Sequence, residues 1–144
     1  MHETDKELVA GLNPLLHAAG VAQGYVELKL AAAGLSLPKL MTLAALKDAG
    51  GWLPLGQLAA KLSCVKSNIT QLVDRLEADG FVSREADPND RRSRLAVLSK
   101  AGRRACAEGT RIRRQAEQDL FREFSPEEQA VLSALMAKLV RRAE

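Results

Sequence analysis

Residues 67–102 read SNITQLVDRLEADGFVSREADPNDRRSRLAVLSKAG. Ile69, Leu72, Val73 and Leu76 recur every three or four positions, the spacing of one face of a helix. The helix is expected from Lys66 to Asp79, closed by Gly80, because glycine adopts a left-handed C-terminal conformation at little cost. The pattern then shortens to strand-like alternation in FVSRE and RLAVL. These two runs flank a loop with Pro88 and Asn89 and so predict a hairpin. Asp87 and Asp90 crowd its tip together with Arg91, Arg92 and Arg94.

Immediately upstream, WLPLGQLAAKL places Leu55, Leu58, Ala59 and Leu62 on one side of a short helix, and SCV makes a turn into the next. Two helices joined by a tight turn form a helix-turn-helix, and the charged hairpin behind them forms a wing. The polar face of the second helix carries Lys66, Ser67, Asn68, Thr70, Gln71 and Arg75. A helix fits the major groove of B-DNA, where such groups reach base edges and phosphates. Arginines on a wing suit the minor groove, where negative potential is focused. Asp87 and Asp90 are expected to hold the guanidinium groups by bidentate pairing.

The bulk properties agree with a DNA-binding fold of this kind. A chain of 144 residues fits one compact domain or two tightly joined lobes. It is 47% hydrophobic but only 3% aromatic, so its core must be aliphatic, which favours helices. A net charge of +3 and a pI of 9.1 suit a polyanion partner if the positive groups cluster. Cys64 and Cys106 are too few, and too far from a histidine partner, for a structural zinc site; no metal or cofactor is expected. Catalysis is not expected either. The only histidines are His2 and His17, and the chain has no Ser–His–Asp order, glycine-rich phosphate loop or paired-histidine motif. No apolar run approaches the roughly 18 residues that span a bilayer, and MHETDKEL lacks a signal-peptide core, so the expectation is a cytoplasmic protein without a membrane partner.

Outside the central block the periodicity is helical. Leu8, Leu12, Leu15, Ala19, Ala22 and Val26 mark an N-terminal helix, either kinked at Asn13-Pro14 or split there into a short and a longer piece. Ser36 is an N-cap for a helix that stops at Gly50-Gly51. Ser99 caps another, expected to run toward Phe124. SPEE at 125–128 is a capping box opening a last helix that buries Val131, Leu132, Leu135, Leu139 and Val140.

At the level of motifs the stretch resembles the MarR family (multiple-antibiotic-resistance regulators). The resemblance rests on TQLVDRLE at 70–77, GFVSR at 80–84, DRR at 90–92 and LSKAG at 98–102. It implies a mainly α-helical fold with a small β-hairpin wing, and a homodimer that binds a palindromic double-stranded DNA operator, usually as a repressor. It also implies that Arg92 is the minor-groove arginine, that Asp90 orients it, and that Arg75 pairs with the wing. Val65, Gln71 and Pro54 depart from the residues common in the family. Gln71 stands where arginine is frequent, and glutamine suits adenine where arginine suits guanine.

On this reading residues 36–99 form the winged helix-turn-helix lobe, and 1–33 with 100–144 form a helical dimerisation lobe. Leu8, Leu12, Leu15 and Leu16 at one end, with Leu120, Phe121, Phe124, Leu132, Leu135, Met136 and Leu139 at the other, carry more apolar surface than two terminal helices need for each other. The resemblance implies a small phenolic or anionic effector in a crevice between the lobes, for which His17, Tyr25, Lys29 and Trp52 are candidates. Cys64, in the motif turn, reads as a small buried hydrophobe or as a redox switch. Cys106, beside Arg103 and Arg104, is the other candidate thiol. A thiol-based redox regulator of the same fold and a winged-helix adaptor that binds protein instead of DNA remain the alternatives.

Overall fold

The computed structural model describes residues 3–63 and 66–144, with side chains at 11–63 and 68–144. The elements follow as α1 (Glu3–Ala31), α2 (Leu37–Asp48), β1 (Trp52–Pro54), α3 (Leu55–Lys61), α4 (Lys66–Ala78), β2 (Val82–Asp87), β3 (Asp90–Leu98), α5 (Lys100–Leu120) and α6 (Pro126–Ala143). The result is a mainly helical winged fold.

The punctuation residues act as expected. Ser36 Oγ accepts from the Lys39 amide at 3.2 Å and starts α2, and Ser99 Oγ accepts from the Gly102 amide at 2.9 Å and starts α5. Ser125 and Glu128 close a reciprocal capping box on α6. Gly50 and Gly51, at φ 93° and 109°, turn the chain out of α2, and Gly80, at φ 80°, turns it out of α4.

The core is aliphatic. Leu30 of α1, Leu43 and Leu46 of α2, Leu58 of α3, and Ile69, Val73 and Leu76 of α4 are all fully buried. The α4 stripe read from the sequence is thus the buried face, with Leu72 at its margin. The sheet order is β1-β3-β2, both pairs antiparallel.

Several expectations are corrected. The N-terminal segment is one helix with Pro14 inside it, so Asn13 caps nothing. Its stretch Gly11–Gly20 is exposed throughout, and Leu8 lies outside the residues with described side chains. The wing is a three-stranded sheet, because Trp52 and Leu53 pair with Val97 and Ala96. Helix α5 ends at Leu120 instead of Phe124. Pro126 disfavours helical backbone at Ser125, which must stay extended to cap α6, so the preceding turn has to break. Finally, α6 buries none of its residues within the chain: Val131, Leu135 and Leu139 are 57%, 58% and 50% exposed. Its position gives it no extended contact with any other element.

Candidate nucleic-acid interface

Helix α4 has three sides. Ile69, Val73 and Leu76 face the core. Thr70, Asp74 and Glu77, spaced four and three residues apart, form an edge turned to the wing. Asn68, Gln71 and Arg75 form an exposed edge, and none of them bonds to another described side chain. The side chains of Lys66 and Ser67, and all of Cys64 and Val65, lie outside the described residues.

Arg84 of β2 occupies the wing-facing edge. Its Nη1 lies 2.6 Å from Asp74 Oδ1 and 3.3 Å from Glu77 Oε1, and its Nη2 donates to the Thr70 carbonyl at 3.0 Å. The Arg84 backbone N–H donates to Glu77 Oε2 at 3.1 Å. One guanidinium therefore grips two turns of α4. The sequence reading assigned the helix–wing link to Arg75, which instead projects outward; the register of β2 turns Arg84 toward α4 and gives it that part. At the C-terminal end of α4, Asp79 pairs with Lys39 of α2 at 2.8 Å, and Ser99 Oγ donates to the Gly80 carbonyl at 2.7 Å. Helix and wing are thus pinned at both ends.

The wing arginines sit differently from the expectation. Strand β3 begins at Asp90, so Arg91, Arg92 and Arg94 lie on a strand and the tip is the Pro88-Asn89 turn. All three are exposed, and no described carboxylate pairs with them. Asp87 Oδ1 accepts from the Asn89 amide and Asp90 Oδ1 from the Arg92 amide, both at 2.9 Å. The two aspartates therefore shape the turn through its backbone and leave the guanidinium groups unoccupied. Three exposed wing arginines without a described carboxylate partner, on a wing fastened to a helix with an open polar edge, suit an extended polyanion.

Of the four residues taken as an effector crevice, Tyr25 and Lys29 meet, whereas His17 and Trp52 lie apart from them. Tyr25 donates to Asp119 Oδ2 at 3.3 Å and carries Lys29 over its ring at 5.3 Å, tying α1 to α5. The Asp119 carboxyl is lowered below its ordinary range by hydrogen bonds from Gln115 and Tyr25 and by the charge of Arg122. His17 stands exposed two turns earlier on α1, and Trp52 lies on the wing sheet. A crevice of about 520 Å³ opens between α2, the end of α3 and α5, lined by Met41, Asp48, Lys61, Thr110 and Arg114 among others. Periodicity could not reveal it, since its residues come from three elements. Cys106 is buried in the core, 2% exposed, where it packs as a small hydrophobe. Among the described residues no helix is long and apolar enough to cross a membrane.

Comparison with known proteins places this geometry. The sequence profile of the MarR family matches residues 35–93. An uncharacterized HTH-type transcriptional regulator of Bacillus subtilis, YcgE, is 36% identical over 83 residues, 58% of this chain and 54% of that protein. The chain spans about half the length of the curated relatives it matches first. The crystal structure of a probable transcriptional regulator from Pseudomonas aeruginosa is 29% identical, with a TM-score of 0.76 over 87% of this chain and 92% of that one. A mutant of MarR from E. coli, solved with operator DNA, is 23% identical and has a TM-score of 0.79 over 91% of this chain and 94% of that one; it shares the fold. The MarR family profile thus falls on the winged lobe of a chain whose remaining helices follow the architecture of these structures.

Proposed function

We propose that this protein is a DNA-binding transcription regulator that acts as a homodimer on a palindromic operator and represses its target genes. The observation that carries the reading is the pairing of an open polar helix edge, Asn68, Gln71 and Arg75, with the unpaired Arg91, Arg92 and Arg94 on the wing fastened beside it. The edge reads the major groove and the arginines enter the neighbouring minor groove. The E. coli relative solved on operator DNA supports the same use of the fold. A protein-binding adaptor would have no need for three unpaired wing cations.

Dimerisation is supported by α6, whose apolar residues find no cover in their own chain, and by the exposed Leu12, Leu15 and Leu16 of α1. The small anionic effector is assigned to the crevice near Lys61 and Arg114, in place of the Tyr25 and Trp52 site. A ligand there shifts the lobes only if it favours the arrangement that cannot bind DNA.

Fluorescence anisotropy with the promoter region next to the protein's own gene tests the central claim. Saturable, salt-sensitive binding of that DNA over random DNA is expected; equal binding of both would remove sequence-specific regulation. Transcripts of the adjacent genes should rise in a deletion strain, and a fall would make the protein an activator.

A further inference from the structure

The chain's single tryptophan has no part in the interface described above. Trp52 is 52% exposed, an unusual setting for a side chain of that apolar area. The strand register explains its direction. Residues directly opposite one another share a sheet face, so Trp52, Val97 and Ser83 lie on one face with Pro54, Leu95 and Glu85. Leu53, Ala96 and Arg84 lie on the other, and Arg84 points to α4. Trp52 therefore stands on the side of the wing turned away from the recognition helix.

On that side is a hollow of about 470 Å³, lined by Trp52, Ala86, Pro88, Leu95 and Val97, with Glu85, Asp87 and Asn89 at its polar rim. Its volume falls in the range of small-molecule sites, roughly 300–1,000 Å³. No residue of α1 or α6 lines it, so the helices assigned to dimerisation leave it open. Its electrostatics have one sign. The Glu85 carboxylate has no hydrogen-bond or ion-pair partner among the described residues, and Asp87 uses one carboxylate oxygen for the Asn89 amide and has the other to offer. No lysine or arginine lines the hollow, the wing arginines included.

We propose that this hollow is a binding site for a planar aromatic cation. An indole face attracts cations through its quadrupole, strongly so when water is partly excluded. The apolar floor of Leu95, Val97 and Pro88 takes a flat ring, and the carboxylates of Glu85 and Asp87 meet its charge at the rim. A phenolic anion meets the same two carboxylates as repulsion, so this site and the crevice near Arg114 select opposite charges. The inference does not depend on DNA binding.

The test uses the full-length, DNA-free protein and two probes of like shape and opposite charge, 1-methylquinolinium and 1-naphthoate. Trp52 gives the only indole N–H signal in a ¹⁵N-labelled spectrum, so it reports the site without assignment. The cation should shift that signal saturably, and naphthoate should leave it nearly unmoved. Glu85→Gln together with Asp87→Asn should weaken the cation about tenfold by calorimetry, since a charged contact is lost at each position. Asparagine retains the oxygen that accepts from the Asn89 amide, so the turn persists in that variant. Equal shifts with both probes, no saturation with the cation, or undiminished affinity in the double variant would each overturn the proposal.

Discussion

Arg84 and Asp74 form a 2.6 Å ion pair that binds the second strand of the wing to the middle of the recognition helix. The guanidinium is mostly enclosed, its side chain 21% exposed, while Asp74 is 60% exposed. Solvent screening on the carboxylate side holds the pair's contribution to stability to about 0.2–1 kcal/mol. Its larger effect is geometric, because in the proposed function α4 and the wing meet adjacent grooves together. Arg84→Gln should therefore lower operator affinity about five- to tenfold with a small loss of stability. Anisotropy titrations and thermal melts of Arg84→Gln, Asp74→Asn and the double variant make a cycle. Strictly additive effects on binding would show that the pair does not couple helix and wing.

Arg92→Ala should weaken operator binding by about 1–3 kcal/mol and reduce the salt dependence by about one ion, with an unchanged circular dichroism spectrum. Asp90→Asn should cost far less, because the asparagine oxygen can still accept from the Arg92 amide. If Asp90→Asn were as damaging as Arg92→Ala, the Asp90 charge, and not its hydrogen bond, would be what positions the arginine.

The winged lobe was legible in the sequence because its signals are local. The stripe Ile69, Val73 and Leu76 needs only helical spacing, and Ser36, Ser99 and Ser125 cap helices that begin within three residues of them. Links between distant segments were not legible. Arg84 was visible only as a motif letter, and Lys39–Asp79 joins residues forty apart with no periodic signature. Trp52–Pro54 is too short to show strand alternation and becomes a strand through pairing with β3. The supposed crevice of Tyr25 and Trp52 failed for a related reason. Chemical suitability of side chains says nothing of adjacency, and these two lie on a helix and on the wing sheet.

The bare apolar face of α6 predicts the oligomeric state. Leu135→Asp with Leu139→Asp should convert the dimer to a 15.6 kDa species in sedimentation at micromolar concentration. Both residues are at least half exposed in the single chain, so the substitutions do not damage its own core. A wild-type protein that sediments as a monomer would refute the dimer directly. Operator affinity should be lost together with dimerisation, since in the proposed function each protomer contacts one half-site.

Asp119 gives a pH dependence. Its carboxyl is lowered from an ordinary 3.8, chiefly by the hydrogen bond from Gln115, then by Tyr25 and Arg122. A depressed folded-state value means the stabilisation is complete above the unfolded value and is lost as pH falls through the folded one. Melting temperature should therefore drop as the pH falls below about 5 by more in the wild type than in Asp119→Asn. Parallel pH profiles would show that the carboxylate does not hold α1 to α5.

Two glycines of α5 separate close backbone packing from ordinary side-chain crowding. A Cβ on Gly102 would overlap the Phe81 carbonyl oxygen, which already accepts from the Ser99 amide at 3.0 Å. That oxygen belongs to the turn joining α4 to the wing and cannot retreat without breaking the bond. A Cβ on Gly109 would meet Leu40 Cδ1 at 2.7 Å and Leu35 Cδ1 at 2.8 Å, both ends of flexible side chains that can rotate away. Each alanine gains about 1 kcal/mol of helix propensity. Gly109→Ala should then be close to neutral, whereas Gly102→Ala should destabilise by about 2–3 kcal/mol net. Urea midpoints at a fixed protein concentration measure the difference without interference from dimer dissociation. Equal midpoints for the two variants would mean that the start of α5 can move off the wing. The glycine ending the LSKAG motif would then owe nothing to this contact.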